Sequence, residues 1–298
     1  MAEQSEKAEG TKTTKGETDP GRRRFLKGLA AAGLVSVSAA SGYGWLVEPF
    51  NYELTETEIL IKELPDAFEN FRIAQLTDIH HSRLVPLAEV RQVVALARAA
   101  RPDMFVLTGD YTTSRRSFIE PCAEALGALD APAGVWAVLG NHDHNNDAEL
   151  TTRSLTRYGI NVLNNTSTNI TRGADALQLA GIDDLGWGKA DWERALRGLD
   201  ARRPSLLLSH EPAVFDLAET RPFSLILSGH THGGQITLPF VGAPARFLDN
   251  FRYLRGLYAR GTTQLYVSRG TGMIGLPIRL GARPEIAVLR LRRAPTAG

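Results

Sequence analysis

Five short apolar runs, each stopping at a polar cluster, limit most strongly what this chain can fold into. The runs cover residues 72–77, 104–108, 135–139, 206–209 and 225–228. Each is apolar almost throughout, as a strand buried on both faces must be. Asp78-Ile79-His80 follows the first, Gly109-Asp110 the second, and Gly140-Asn141-His142-Asp143 the third. His210 follows the fourth, and Gly229-His230-Thr231-His232-Gly233-Gly234 the fifth. The ends of strands in α/β sheets are where ligand sites gather.

Helical patterns separate these runs. Residues 87–100 carry Leu87, Val90, Val94 and Ala97 at helical spacing, and Pro102 follows as a stop. Further helices are expected at 119–129, near 148–158 and near 191–199. The last third changes character: residues 235–238, 264–268 and 285–291 read as strands with few helices between. The pattern predicts one layered α/β domain with mixed sheets over residues 48–298. Hydrophobic residues at 43% and charged residues at 22% fit such a globular chain. A formal net charge of +1 gives no global basic field, so no nucleic-acid partner is expected. Cys122 is the single cysteine, which excludes an intramolecular disulfide and reads as a buried helix residue.

The first 47 residues stand outside that pattern. Residues 1–20 are polar and read as a disordered tail. Arg22-Arg23-Arg24-Phe25-Leu26-Lys27 then resembles a twin-arginine export signal, with Gly21 where Ser or Thr is commoner. The mild apolar stretch 28–40 and Ser38-Ala39-Ala40 complete a signal over residues 21–47. It is read either as cleaved or as an anchor reaching Val47; a basic helix end is the plain alternative. The expectation is export by the twin-arginine machinery to an extracytoplasmic, envelope-associated or membrane-anchored place.

The seven histidines carry the chemistry. His80, His81, His142, His144, His210, His230 and His232 all lie in or beside the five clusters. In extended chain, residues two apart share a side, so Asp78 with His80, and His230 with His232, can each present two ligands to one cavity. Imidazole and carboxylate without thiolate suit Zn, Mn, Fe or Co.

The ordered set Asp-x-His, Gly-Asp, Gly-Asn-His-Asp, a lone His and Gly-His-Thr-His resembles the calcineurin-like metallophosphoesterase superfamily, across about residues 72–235. Gly-Gly-Gln after His232, Ser268-Arg269-Gly270-Thr271-Gly272 and Arg283-Pro284-Glu285-Ile286 resemble its exported bacterial phosphodiesterase branch. The resemblance implies a sandwich of two mixed β-sheets flanked by helices and two divalent metal ions. It implies Asp78, His80 and His232 on one metal, and Asn141, His210 and His230 on the other. Asp110 would bridge them, His142 would be catalytic, and Asp143 would orient His142. The activity implied is metal-dependent hydrolysis of a phosphoester. A phosphodiester or pyrophosphate bond in an envelope or lipid-linked substrate leads. A general phosphomonoesterase and an envelope-binding protein with a vestigial site are the alternatives.

Other residues are read more plainly. His81 and His144 are expected at the mouth or in solvent. Asp103 and Asp130 are expected as turn or cap residues, and Asp183 and Asp184 as loop residues. Arg83, Arg115 and Arg116 either steer phosphate or are solvated charges. Residues 240–258 interleave Phe240, Phe247, Phe251, Tyr253, Leu254, Leu257 and Tyr258 with Arg246, Arg252 and Arg255. They read as a cap over the second sheet or as a surface for lipid.

Overall fold

Why adjacent residues of one strand belong to different cores is the key to this architecture. The computed structural model describes residues 41–295 except 219, 220, 222, 249 and 250. Its strands are β1 (Glu53–Ile61), β2 (Arg72–Leu76), β3 (Met104–Thr108), β4 (Val135–Val138), β5 (Asn161–Val162) and β6 (Thr166–Arg172). They continue as β7 (Asp175–Gly181), β8 (Ser205–Leu208), β9 (Leu225–Ser228), β10 (Gly256–Arg260), β11 (Thr263–Val267) and β12 (Glu285–Arg293). One six-stranded sheet runs β1-β12-β2-β3-β4-β5, and the other β10-β11-β9-β8-β7-β6. Both are mixed: β12 pairs antiparallel with β2, and β6 with β7, while β2-β3-β4 and β7-β8-β9 are parallel.

Strand residues alternate between layers, as the two-residue period requires. Ile73, Met104 and Val106 join Leu206, Leu208, Leu225 and Leu227 in the core between the sheets. Their neighbours Ala74, Leu76, Phe105 and Leu107 face the helices outside the first sheet. Leu207 and Ile226 face Phe215, Phe223 and Tyr253 outside the second. Both faces are covered, which is why these strands read as continuous apolar runs. The two mixed sheets flanked by helices expected from sequence are present.

Three helices cover the first sheet. α1 (Leu87–Ala99) follows Pro86 and buries Val90, Val93, Val94 and Ala97. α2 (Ile119–Leu126) carries Pro121 in its first turn, where a missing N–H is harmless, and buries Cys122. α3 (Asn141–Arg157) starts earlier than its apolar pattern implied. It is broken at Asp147 (φ −173°, ψ 94°), and the Asp147 carboxylate accepts a bond from Leu150 N at 2.9 Å. The expected helix near 148–158 is thus the part after a new N-cap, and the turn before it belongs to the site.

Two further expectations change. Residues 235–238 form isolated bridges at Ile236 and Leu238 rather than a strand. β1 is present although its sequence has no apolar run. It is an edge strand whose Glu56 and Glu58 pair with Arg290 and Arg292 of β12. The tail 1–20 and residues 21–40 of the signal segment lie outside the described residues. No helix among the described residues is long and apolar enough to cross a membrane. From Gly42 onward the described chain forms one compact unit.

Truncating Leu208 to Ala between the sheets should lower unfolding free energy by about 2–5 kcal/mol. Leu54→Ala, at a half-exposed edge position, should change it by no more than about 0.5 kcal/mol. Urea melts of metal-free protein check both, and equal losses would contradict the layering.

Candidate metal centre

The parallel strands of both sheets end at the same place. Thr77, Gly109, Leu139, Ser209 and Gly229 each follow directly on a strand end or lie one residue beyond it. Close approach of the loops needs glycine at two of these crossings. A Cβ on Gly229 would lie 2.1 Å from Thr77 Oγ1 and 2.3 Å from Asp78 Oδ2. One on Gly140 would lie 2.4 Å from Asp110 Oδ1. Beyond the crossings, Asp78 (φ 51°), His80 (φ 51°), Asp110 (φ 58°), His230 (φ 73°) and His232 (φ 52°) all take the left-handed conformation. Such non-glycine residues store about 1–3 kcal/mol each and cluster where function demands it. Main-chain bonds hold them there: Asp78 N to Gly109 O at 3.0 Å, His80 N to Asp110 O at 3.0 Å, and Gly272 N to Asp78 O at 2.7 Å.

The side chains converge. His80 Nε2 lies 3.0 Å from His232 Nε2, and His210 Nε2 lies 3.1 Å from His230 Nδ1. Asn141 Oδ1 is 3.1 Å from both His210 Nε2 and His230 Nδ1. Asp110 Oδ2 lies between the two groups, 3.5 Å from His80 Nε2 and 3.2 Å from His210 Nε2. Asp78 Oδ1 is 3.5 Å from His232 Nε2. Three sets of donors fall within 4.8 Å: Asp78, His80 and His232; His80, Asp110 and His142; Asp110, His210 and His230.

Burial sets the charge states. It pushes His80 down to about 3 and His230 to about 4, and His232 well below its ordinary range. These rings are neutral and keep a lone pair for a ligand. Burial also disfavours charge on Asp110, but the charge and hydrogen bond of His210, itself raised well above its ordinary range, outweigh it and hold the carboxyl low. Asp78 is raised to about 6 by burial, helped by the Asp110 charge. His210 Nδ1 donates to Thr108 O at 2.7 Å, which fixes the ring and turns Nε2 inward.

This donor set fits a divalent metal. Two pairs of ring nitrogens face each other at hydrogen-bond distance in a buried place. A cation at each pair would take a lone pair from both rings, whereas a proton can bind only one ring nitrogen of the pair and leave the other to accept from it. Nitrogen and carboxylate oxygen are the ligands that borderline divalent ions prefer.

A family model described as calcineurin-like phosphoesterase matches residues 71–234. The chain belongs to this family. A metallophosphoesterase of Bacillus subtilis (strain 168), named YkuE and called uncharacterized, is 37% identical over 278 residues, 91% of this chain and 97% of its own. The phosphodiesterase YaeI of Escherichia coli (strain K12) is 34% identical over 276 residues, 91% of this chain and 98% of its own. A transmembrane protein with a metallophosphoesterase domain from Danio rerio is 34% identical over 276 residues, 88% of this chain and 62% of its own. Membership makes this chain a metal-dependent phosphoesterase, and its His/Asp clusters suggest divalent metal binding.

Within this metallophosphoesterase, several residues sit differently from expectation. Asp143 does not touch the His142 ring. Its carboxylate accepts from Asp110 N at 2.8 Å, Gly140 N at 2.9 Å and Tyr111 N at 3.0 Å, tying the second cluster to the third. Burial, reinforced by Asp110, raises it to about 7. The His142 ring instead bonds Thr113 O through Nδ1 at 3.3 Å. His81 is buried, not at the mouth: Nδ1 meets Val85 O at 2.9 Å, and its ring packs edge-on against Phe118. Asp183 and Asp184 are loop residues, but buried ones. Arg83 and Arg115 are exposed, and Arg116 pairs with Asp147 at 2.7 Å.

Sequence reasoning missed Arg279. It is fully buried, and burial lowers it to about 10. Its guanidinium donates to Gly272 O at 2.6 Å, Ala282 O at 2.8 Å and Arg269 O at 2.9 Å, and reaches His232 Nδ1 at 3.3 Å. Nothing in the local sequence marks it, because its partners are main-chain carbonyls. The nearby branch motifs turn out to be its support. Arg269 pairs with buried Glu285 at 3.3 Å and with Glu53 at 2.8 Å, and this holds the Gly270–Gly272 loop against Asp78.

His144 Nε2 bonds Asp183 Oδ1 at 2.7 Å. Burial opposes charge on His144, but the bond and charge of Asp183 prevail and raise its pKa. Burial likewise works against the Asp183 charge, but His144 and main-chain donors lower that pKa. The His144 contribution to stability is therefore complete below about pH 6.5 and is lost as pH rises through its folded value. The Asp183 contribution is complete above about pH 3.9 and is lost as pH falls through its own folded value. NMR titration should find His144 above about 6.5 and show it falling in Asp183→Asn. A native value under the ordinary one would contradict the pairing.

Proposed function

We propose that this chain hydrolyses phosphodiester or pyrophosphate bonds with two divalent metals, outside the cytoplasm, on an envelope or lipid-linked substrate. The observation that carries the two-metal part is Asp110, shared between a His80 side and a His210–His230 side. Asp78, His80 and His232 would hold one ion. Asn141, His210 and His230 would hold the other, with Asp110 on both. When bound, the ions would supply positive charge, polarise phosphoryl oxygens and lower the pKa of a bound water toward about 7.

The chain's own groups do the rest. Asp78 and Asp110 offset part of the metal charge, so a phosphate is still attracted. His142, with Nδ1 toward Thr113 O, keeps its other nitrogen to hold the proton for the leaving oxygen. Asp143 clamps the main chain of Asp110 and Tyr111 to that of Gly140, and so keeps His142 beside His80, ring centres 5.0 Å apart. Diester preference is supported by the name of the Escherichia coli relative, a phosphodiesterase. Export is supported by Arg22-Arg23-Arg24-Phe25-Leu26-Lys27 and the apolar stretch after it. Passage through the twin-arginine machinery would let the chain cross already folded.

The test is hydrolysis of bis-p-nitrophenyl phosphate and p-nitrophenyl phosphate after loading with Mn, Zn or no metal. Metal-dependent diester cleavage, with Asp110→Ala losing both bound metal and turnover, is expected. His142→Ala should keep its metal and lose about 10²–10⁴-fold in rate. A preference for the monoester would replace this reading with a phosphatase. Full metal binding with no turnover of either ester would favour a binding protein.

A further inference from the structure

A cleft of about 420 Å³ opens directly off the metal centre, and its chemistry is unlike the centre's own. His230 and His232 belong to its wall, but Ile236, Pro244, Phe251, Ile274 and Leu276 make it mainly apolar. The Phe251 ring stands edge-on to His230, centres 5.5 Å apart, so carbon surface begins where the ligand set ends. The polar side chains in this wall besides the two histidines, Thr231 and Gln235, are occupied elsewhere: the Thr231 hydroxyl donates to Leu254 O at 2.5 Å. Gln235 donates to Ile274 O at 2.9 Å and Leu276 O at 3.1 Å, and accepts from Ile274 N at 3.0 Å. Both strips of wall are thereby stapled together, with no Gln235 hydrogen-bonding group left for a polar ligand.

At the rim of the cleft, Leu276 is 59% exposed, and Phe240, Val241 and Phe247, in the segment around the wall residues Pro244 and Ala245, are more exposed still. Phe240 sits in a tight turn closed by Leu238 and Gly242, in the left-handed conformation (φ 63°). A bulky residue rarely takes that conformation, and here no burial rewards it. The rim also borders the start of the described chain. Arg279 N bonds Gly44 O, and Leu280 N bonds Gln235 O. Exposed Trp45, Leu46 and Val47 follow Gly44 directly. Clustered exposed apolar groups of this kind mark a lipid or partner contact rather than ordinary surface. By contrast, Tyr253 packs over the second sheet as the expected cap does, while residues 256–258 belong to that sheet's edge strand β10. Tyr253 packs edge-on against Phe215 and its hydroxyl donates to Asp216 at 2.7 Å, and Arg252 pairs with Asp216.

We infer that the cleft is the subsite for a hydrocarbon chain of the substrate. The phosphoryl group lies at the metal centre, and an alkyl or acyl chain runs past Phe251, between Ile236, Pro244 and Ile274, to exposed Leu276 at the rim. This rests on the phosphodiesterase reading and narrows it to amphiphilic phosphoesters. A chain drawn from a lipid surface would pass from one apolar place to another without crossing water.

The test uses the full chain loaded with Mn and a series of p-nitrophenyl phosphodiesters with methyl, butyl or octyl as second ester, all below their micelle concentrations. Hydrolysis adds water across the phosphorus–oxygen bond and releases p-nitrophenol and the alkyl phosphate. The kcat/KM value should rise along the series, by up to about fourfold for each methylene the cleft covers. Leu276→Asp should lower the octyl-to-methyl ratio by about tenfold or more. Leu96→Asp, at an exposed position on α1, should leave that ratio unchanged. A flat series with good methyl-ester turnover would overturn the subsite and leave the phosphodiesterase reading standing. In that case a second copy of the chain becomes the occupant to expect on the rim. A rising series that ignores Leu276→Asp would also overturn it. Loss of metal-dependent turnover for every diester would overturn the phosphodiesterase reading and this inference with it.

Discussion

Asp110 is a buried carboxylate among imidazoles, and the arrangement needed to keep it there organises much of the molecule. An isolated charge in such a place is unstable, so it must be paired and hydrogen-bonded. Its Oδ2 faces His80 and His210, its Oδ1 accepts from His142 N at 2.9 Å, and its own N–H goes to Asp143. His210 comes from the end of β8, so the charge is balanced by groups from both sheets. Asp143 repeats the solution one layer out, holding three main-chain amides with a carboxyl that burial has raised. The sandwich closes around Asp110 because its imidazole partners come from both sheets, while Asp143 ties together two loops of the first sheet.

The cost is visible in the backbone. Five site residues take left-handed conformations, and glycines stand where the loops cross within bonding distance. Rigid strands on both sides allow this, since each strained residue lies within four residues of a strand end packed at near-zero exposure. A second layer of charge holds the far side. Arg279 collects main-chain carbonyls behind His232, while Arg269 and Glu285 fix the loop beside Asp78. These groups do not reach the reacting space, but they limit where His232 and Asp78 can move.

Polarity then changes abruptly past Phe251. On one side donors converge within hydrogen-bond distances; on the other, the walls are carbon and their polar groups are consumed internally. A phosphoester with a hydrocarbon part matches that division, and a small hydrophilic one leaves half of it unused.

Much of this was legible in the chain. The five buried strands followed from continuous apolar runs, and the ligand candidates from polar clusters at their ends. What stayed hidden has physical causes. β1 and β6 are edge strands with charged or polar faces, so no run announced them. The start of α3 is built from Asn, His and Asp, poor helix formers that stay helical here because Asp143 caps the turn from inside the site. His81 read as solvated because its burial depends on Val85 O and Phe118 closing over it. Arg279 had no signal at all, since main-chain carbonyls carry no sequence identity. Local residue order determined the strands, the donor types and their family pattern. Only tertiary structure decided which donors share Asp110, which acid clamps the backbone, and where the metal centre gives way to carbon. Those outcomes depend on two sheets meeting, and contacts between segments more than a hundred residues apart leave no local trace.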